Sequence, residues 1–129
     1  MSNNSVRIGA FAENMAREFL EKKGLRFVEK NFVTYDMLGQ KNGEIDLIMK
    51  DREFTVFVEV KARENNEYGD VLEMVTRQKQ TRIIRTAKRY LVDRDELNTT
   101  YSRFDVVGIS LDKNAPNLTW IPNAFQVQY

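Results

Sequence analysis

The sequence of 129 residues contains no cysteine and no histidine. Without cysteine there is no disulfide and no thiolate metal site, which fits a reducing compartment without requiring one. Without histidine the chain lacks the commonest general base near neutral pH, the histidine-coordinated zinc site and every imidazole-dependent triad. Hydrolytic chemistry would therefore use carboxylates, lysine, tyrosine or hydroxyl groups, and a bound metal would be held mainly by oxygen, which favours magnesium or manganese.

Long apolar runs and a strong net charge are also missing. No segment is apolar for long enough to cross a bilayer, and the opening residues MSNNSVRIG contain no apolar signal region, so we expect no membrane association and a cytoplasmic location. The net charge of +1 argues against a globally basic nucleic-acid binder but permits a locally basic face. The length predicts one domain over residues 1–129, with residues 1–6 as a flexible N-terminus.

The apolar pattern predicts an α/β protein. Helical spacing of apolar residues covers 9–23 and 71 to about 92, and a polar loop is expected over 34–43. Strands are expected over 26–33, in a hairpin between 43 and 63, over 103–111 and over 118–121. This order predicts a mixed β-sheet with helices packed on it.

The hairpin reads GEIDLIMKDREFTVFVEVKAR and carries charged residues inside its strands. A four-residue turn at 50–53 would place Met49 opposite Phe54 and Glu44 opposite Glu59. Two directly opposed carboxylates destabilise a sheet unless a cation or a proton lies between them. The pattern therefore predicts a cation or a proton between the carboxylates at the open end of the hairpin.

The two predicted faces of this hairpin differ in character. One is wholly apolar and should be buried: Ile45, Leu47, Met49, Phe54, Val56, Val58 and Val60. The other gathers Glu44, Asp46, Glu59 and Lys61 at its open end, where two carboxylates could hold a metal ion and an ammonium could assist phosphodiester hydrolysis. The alternative, equally open on pattern alone, is that Lys61 pairs with Glu59 or Glu44 on a solvated sheet face.

The second predicted helix contains a basic stretch, RQKQTRIIRTAKR, with six basic residues and no acidic one. Helical spacing places Gln78, Arg82, Arg85 and Arg89 on one narrow face that could contact phosphates. A solvated helix face explains the same pattern. In a nuclease, Gln78 or Lys79 would approach the active site.

Four further features have structural and functional interpretations. Glu13 borders the apolar stripe of the first helix and could be a surface acid. Arg103 and Asp105 share a strand face, which favours a structural ion pair. Trp120 is expected in the core, and Tyr68 in loop packing rather than a substrate loop.

A set of short segments in order between residues 9 and 125 resembles a known family. These segments are GAFAENMAREFL, EKNF, GEIDLI, FVEVKAR followed by YGD, RQKQ, RFDVVGI and IPNAF. Together they are similar to the YraN-like family of small bacterial proteins, which resembles the archaeal Holliday-junction resolvases and carries a PD-(D/E)XK nuclease signature. Ile45 stands where the broader signature has proline before the aspartate.

The resemblance implies a restriction-endonuclease-like sheet and a nuclease that uses Mg²⁺ or Mn²⁺ to cleave structured or branched DNA. It implies that Asp46, Glu59 and the backbone carbonyl of Val60 bind the metal, that Lys61 is the catalytic lysine, and that Glu13 lies near the metal. Glu44 is a possible accessory residue. A homodimer would suit paired cuts in a four-way junction. A noncatalytic nucleic-acid-binding module, or an adaptor for repair or processing that keeps the fold, is the alternative.

Overall fold

Five strands form one mixed sheet with a helix packed on each face. The computed structural model describes residues 2–63, 71–111 and 116–127. Its elements, in chain order, are α1 (Ser2–Lys22), β1 (Arg26–Tyr35), β2 (Lys41–Asp51), β3 (Phe54–Arg63), a 3₁₀ turn (Val71–Met74), α2 (Arg77–Asp93), β4 (Tyr101–Leu111) and β5 (Pro116–Phe125). The strands lie in the order β1-β2-β3-β4-β5, with β3 and β4 parallel and the other neighbours antiparallel. The predicted mixed sheet with packed helices is therefore confirmed.

The first helix ends where the sequence predicted and begins earlier. Gly24 adopts a φ of 100°, and the Leu25 N–H donates to the Leu20 carbonyl, which terminates α1 in the manner of a left-handed glycine cap. Ala12, Ala16 and Leu20 are buried against the sheet. The helix starts at Ser2, not at residue 9, so it includes residues that were predicted to form a flexible N-terminus.

The connection between β1 and β2 is shorter than the predicted loop over 34–43. β1 continues through Tyr35 and β2 begins at Lys41, which leaves a turn of residues 36–40. The Asp36 carboxylate accepts hydrogen bonds from the N–H groups of Leu38 and Gln40, both at 2.9 Å. This side chain supplies the turn with acceptors, so the strands can extend almost to its tip.

The predicted register of the β2–β3 hairpin is wrong by two residues. Met49 pairs with Val56 instead of Phe54, and Asp51 pairs with Phe54 across a two-residue turn. Arg52 in that turn has a φ of 56°. Tight turns of this kind are usually indicated by glycine or asparagine, and the absence of both from this turn explains why the register was predicted wrongly. Because the shift is an even number of residues, it preserves the alternation of faces.

The predicted apolar face of β2 is interrupted at Asp46. Leu47 and Met49 pack on the side of α1, as predicted, but Ile45 joins the cluster on the side of α2. The neighbouring strand carries Asn31 at a φ of 54°, between the residues that pair with Leu47 and Ile45. This local break in the pleat changes the face on which β2 presents its side chains.

The second predicted helix is divided in two. A 3₁₀ turn over Val71–Met74 precedes α2, which begins after Thr76. The Thr76 hydroxyl accepts the backbone N–H of Lys79 at 3.2 Å and caps the new helix. Gly108 on β4 makes room for the turn, because a Cβ there would overlap the Val71 side chain.

The last strand, Pro116–Phe125, is longer than the predicted 118–121. Tyr68 and the YGD segment lie outside the described residues. Among the described helices, none is both long and apolar enough to cross a membrane.

Candidate active site at the open end of the central hairpin

A cleft of about 320 Å³ lies where β2 and β3 diverge beneath the start of α2. Its lining combines acidic and basic side chains: Lys41, Asn42, Gly43, Glu44, Asp46, Glu59, Lys79, Arg82 and Ile83. Three of the carboxylates predicted from the hairpin therefore face one space. The same cleft is also lined by Lys79 and Arg82 of α2, a helix that is distant from the hairpin in the sequence.

Asp46 and Glu59 form a close carboxylate pair. The regular pairing of β2 with β3 extends from the turn to Leu47 and Val58. Just past that pair, the Val60 N–H donates a hydrogen bond to Asp46 Oδ2 at 2.8 Å. Glu59 is only 5% exposed. Burial, the charge of Glu59 and a hydrogen bond with its carboxyl raise the pKa of Asp46 to about 8, although the Val60 N–H opposes this rise. The surroundings of Asp46 therefore favour its protonated, neutral form.

Two lysines converge on one oxygen of Glu59. The distance from Glu59 Oε2 is 2.7 Å to Lys79 Nζ and 3.6 Å to Lys61 Nζ. Burial and the adjacent Lys79 ammonium lower the pKa of Lys61. Burial is the largest single effect on Lys79 and opposes its charge. The hydrogen bonds with Glu59 and Lys61 and the charges of Glu59 and Asp46 together outweigh it and raise the pKa of Lys79. Lys61 is therefore more easily deprotonated than an ordinary lysine, and Lys79 is less easily deprotonated.

Glu13 reaches the same end of the sheet from α1. Its side chain is half-buried, and burial raises its pKa, with the charges of Glu44 and Glu59 acting in the same direction. A hydrogen bond with the Asn31 side chain partly offsets that rise. The fold therefore brings the helix carboxylate within electrostatic range of the hairpin carboxylates.

Glu44 is engaged by a neighbour on its own strand. Its carboxylate accepts a hydrogen bond from Lys41 Nζ, and this contact raises the pKa of Lys41. Lys41 and Glu44 both line the cleft, and Lys41 is the more exposed of the two. Of the four charged residues predicted to converge, Glu44 is therefore paired with a residue of its own strand.

The donor set fits a hard divalent cation held by few protein ligands. Asp46 and Glu59 offer carboxylate oxygens, and Val60 presents its carbonyl to the same edge, because the N–H and C=O of a strand residue point to the same side. Within the described residues, no three acidic side chains form a group that could enclose a metal ion. Mg²⁺ commonly binds through one or two carboxylates and keeps several waters, so two carboxylates suffice. A cation here would compete with Lys79 for Glu59.

The cleft depends on a close approach between α2 and β2. A Cβ on Gly43 would overlap Thr86 Oγ1 and would lie 2.7 Å from Thr34 Oγ1. Arg85 also links the two elements by donating to the Asn42 carbonyl at 3.0 Å. The absence of a side chain at Gly43 lets the helix lie low enough on the sheet for Lys79 to contact Glu59.

The predicted basic face of α2 is present and exposed. Gln78, Arg82, Arg85 and Arg89 are all solvent-exposed, and Arg82 lines the cleft. Arg89 is paired with Asp93, with Nε 3.0 Å from Oδ2. The face therefore extends from the candidate active site toward the end of the helix.

The predicted pair on β4 lies at a different place. Arg103 Nε is 3.0 Å from Asp105 Oδ1, which confirms the ion pair. The Trp120 indole is half-buried and donates to Asp105 Oδ2 at 3.0 Å. Neither Arg103 nor Trp120 lines the cleft.

Comparison with known proteins identifies the family. Residues 12–109 match the profile of "Uncharacterised protein family UPF0102". The chain is 42% identical to a UPF0102 protein of Coxiella burnetii over the whole of both chains. It is 40% identical to one of Nitrosococcus oceani over 93% of this chain and 92% of the relative, and 45% identical to one of Vibrio vulnificus over 91% and 90%.

The chain belongs to the UPF0102 family.

The names of these UPF0102 relatives state membership of the family and no activity. They support the predicted resemblance at the level of the family. Whether the UPF0102 chain is a nuclease has to be argued from its site.

Sequence reasoning underestimated two residues of this UPF0102 site. The sequence predicts Lys79 as a nucleic-acid-binding residue that would approach the site, and it makes no prediction for Lys41. One signal for Lys79 was available: Thr76 is a suitable helix cap, and a helix that begins after it places Lys79 in its first turn. No sequence pattern indicated that this turn would lie over Glu59.

Proposed function

We propose that this protein is a metal-dependent endonuclease that hydrolyses phosphodiester bonds in structured or branched DNA, on a restriction-endonuclease-like fold. The observation that carries the proposal is the convergence of Asp46, Glu59, Lys61 and Lys79. Two neighbouring carboxyl groups can hold a cation once they are ionised, and two adjacent amines can handle negative charge on phosphate. The exposed arginines of α2 supply a path for the nucleic-acid backbone.

Asp46 and Glu59, with the Val60 carbonyl, would hold Mg²⁺ or Mn²⁺. A bound ion of this kind supplies positive charge that polarises the phosphate and favours deprotonation of the attacking water. Asp46 has to release its proton before it can act as a full anionic ligand. Glu13 would orient water at the same end of the sheet.

Lys61 and Lys79 have different parts in the proposed reaction. Lys61, whose pKa is lowered, accepts the proton of the attacking water as its oxygen bonds to phosphorus. The bond from phosphorus to the leaving oxygen breaks, and that oxygen takes a proton from solvent. Lys79, whose pKa is raised, stays charged and stabilises the negative charge that grows on the phosphate oxygens.

A nuclease assay tests the proposal directly. Duplex, single-stranded, flapped and four-way DNA are incubated with magnesium or manganese and with wild type, Lys61→Ala or Glu59→Gln. We expect cleavage of a branched substrate by wild type and a loss on the order of 10²-fold or more in either variant, because each removes a group that acts on the reacting atoms. Lys22→Ala, an exposed lysine at the end of α1, is the matched control and should cleave normally.

A noncatalytic nucleic-acid-binding module is the second candidate. The salt bridge of 2.7 Å between Lys79 and Glu59 favours it, because Glu59 is neutralised without any metal. Binding of branched DNA by wild type with no cleavage of any substrate would support this module. Cleavage that survives both substitutions would contradict the assignment of the site. A homodimer and a role as a repair or processing adaptor stay predictions.

A further inference from the structure

The tip of the β1–β2 hairpin, residues 36–40, presents two large apolar side chains to solvent. Met37 and Leu38 have exposed fractions of 103% and 86%. Tyr35, at the end of β1, is 61% exposed. Isolated apolar residues on a surface are common, but two adjacent ones at the tip of a turn leave nearly all of their apolar area exposed to solvent.

The turn that carries these side chains is held in one conformation. The Asp36 N–H donates to the Gln40 carbonyl at 2.8 Å, and the Gly39 N–H donates to the Asp36 carbonyl at 3.0 Å. The Asp36 carboxylate adds the two bonds to Leu38 and Gln40, and Gly39 adopts the φ of 81° that the turn requires. Since the backbone is already fixed, a partner would pay little conformational entropy to bind the tip.

Basic side chains line one side of the base of the hairpin, where Arg89 is also paired with Asp93. A groove of about 310 Å³ runs between it and α2, and its described lining has three cations and no acidic group: Thr34, Tyr35, Asn42, Arg85, Thr86, Lys88, Arg89 and Val92. Asn42 also lines the cleft that contains Asp46 and Glu59. An anionic chain in the groove would thus pass from the foot of the apolar tip to the candidate active site.

We propose that Met37 and Leu38 insert between bases at an unpaired or branched position of DNA while the groove holds the flanking phosphates. The inference rests on the proposed function and specifies how the DNA would be recognised. Apolar side chains are known to enter base steps as wedges, and an exposed tyrosine offers a stacking surface for a displaced base. A protein partner is disfavoured, because stable interfaces bury about 800 Å² on each side, and two residues on a convex tip offer far less.

The test uses a four-way junction with 2-aminopurine at the branch point, whose fluorescence rises when the base is unstacked. Calcium replaces magnesium so that the DNA stays intact. We expect wild type to raise the fluorescence, and the double variant Met37→Ser/Leu38→Ser to lose this rise and to bind the junction about tenfold more weakly. Both side chains are exposed, so the variant should keep the melting temperature of wild type.

Salt dependence separates the tip from the groove. Loss of an apolar contact should weaken binding by the same factor at every salt concentration, whereas Arg85→Ala/Arg89→Ala should reduce the slope of log affinity against log salt. Leu97→Ser/Tyr101→Ser removes two exposed apolar side chains near the start of β4, at the other end of the sheet, and is the matched control. It should leave both the fluorescence and the affinity unchanged.

The outcomes distinguish the wedge from the nuclease. If wild type cleaves the junction but the tip variant matches it in fluorescence and affinity, the wedge is wrong and the proposed function stands. If wild type neither binds nor cleaves any DNA, both are wrong. Tip-dependent binding of wild type to anionic lipid vesicles, with unchanged junction binding by the variant, would assign the tip to a membrane surface and overturn the wedge.

Discussion

Asp46 and Asp105 are two carboxylates on neighbouring parts of the sheet with opposite surroundings. Asp105 is fully buried and accepts hydrogen bonds from the Arg103 guanidinium, the Trp120 indole and the Asn123 N–H. Asp46 accepts one backbone N–H and lies against another carboxyl group. Charged and polar donors therefore stabilise the negative charge of Asp105, whereas the surroundings of Asp46 favour its protonated form. A cation could replace the proton on Asp46, which supports the proposal that Asp46 and Glu59 hold the metal.

The raised pKa of Asp46 predicts how stability and metal binding depend on pH. The carboxyl ionises near pH 4 in the unfolded chain and near pH 8 in the folded one, so its contribution to stability is complete below about pH 4 and is lost as the pH rises toward 8. Metal binding displaces the same proton and should therefore tighten over this range. Calorimetric melting between pH 5 and 9, with and without millimolar Mn²⁺, measures both effects.

The variant Asp46→Asn isolates this contribution from other groups that titrate. Subtracting its melting profile from that of wild type should leave a stability difference that declines with pH and levels off above about pH 8. The variant should also lose the stabilisation by Mn²⁺. Equal stabilisation of wild type by Mn²⁺ at pH 5.5 and pH 8.5 would show that Asp46 does not exchange its proton for metal.

At the scale of elements, Asp105 links β4 to two other strands, β2 and β5. Arg103 connects it to Asp51 at the end of β2, with Nη1 2.9 Å from Oδ2. Trp120 and Asn123 connect it to β5, next to the register shift between Phe104 and Val106. The carboxylate therefore holds the edge strand at the point where regular pairing is interrupted.

Replacing Asp105 by asparagine should destabilise the fold strongly. The amide cannot accept four hydrogen bonds, and Arg103 would lose its buried counter-charge, so we expect a decrease of about 3–5 kcal/mol in the free energy of unfolding. Urea denaturation measures this value. Asp51→Asn is the matched control, because Asp51 is more exposed and its loss should cost about 1 kcal/mol or less. Similar costs in both variants would contradict the central role of Asp105.

At the scale of the whole molecule, the sequence predicted the sheet and its helices well because apolar periodicity follows burial directly. The predictions of strand register and of which face a residue occupies were wrong where a non-glycine residue adopts a positive φ. Arg52 allows the two-residue turn that shifts the hairpin register, and Asn31 accompanies the break that moves Ile45 to the other face. Such conformations depend on the surrounding fold, so local residue type did not predict them.

The site was predictable to the extent that it lies on one hairpin. Alternation along the strands placed Asp46, Glu59 and Lys61 together, and an even shift in register left that result intact. Lys79 depends on where α2 begins and on the small residue at position 43, which together decide how the helix lies over the sheet. Apolar periodicity does not show how distant segments pack, so the position of Lys79 over Glu59 could not be predicted from the sequence.

The parallel pairing of β3 with β4 has a consequence for the order of folding. Parallel neighbours need a long crossover, which here includes α2, whereas β1, β2 and β3 pair through short turns. Local pairings form more readily than distant ones. We therefore expect the three-stranded meander of β1, β2 and β3 to be largely formed in the folding transition state, and α2 to dock afterwards. Stopped-flow kinetics should show that Lys79→Met mainly accelerates unfolding, whereas Leu47→Ala slows folding.

A slower folding rate for Lys79→Met would instead place the contact between α2 and Glu59 in the nucleus. In the expected order, a nascent chain holds Asp46 and Glu59 side by side before Lys79 reaches them. If the proposed metal site is correct, a divalent cation could bind this incomplete pair during synthesis and assist folding before α2 docks.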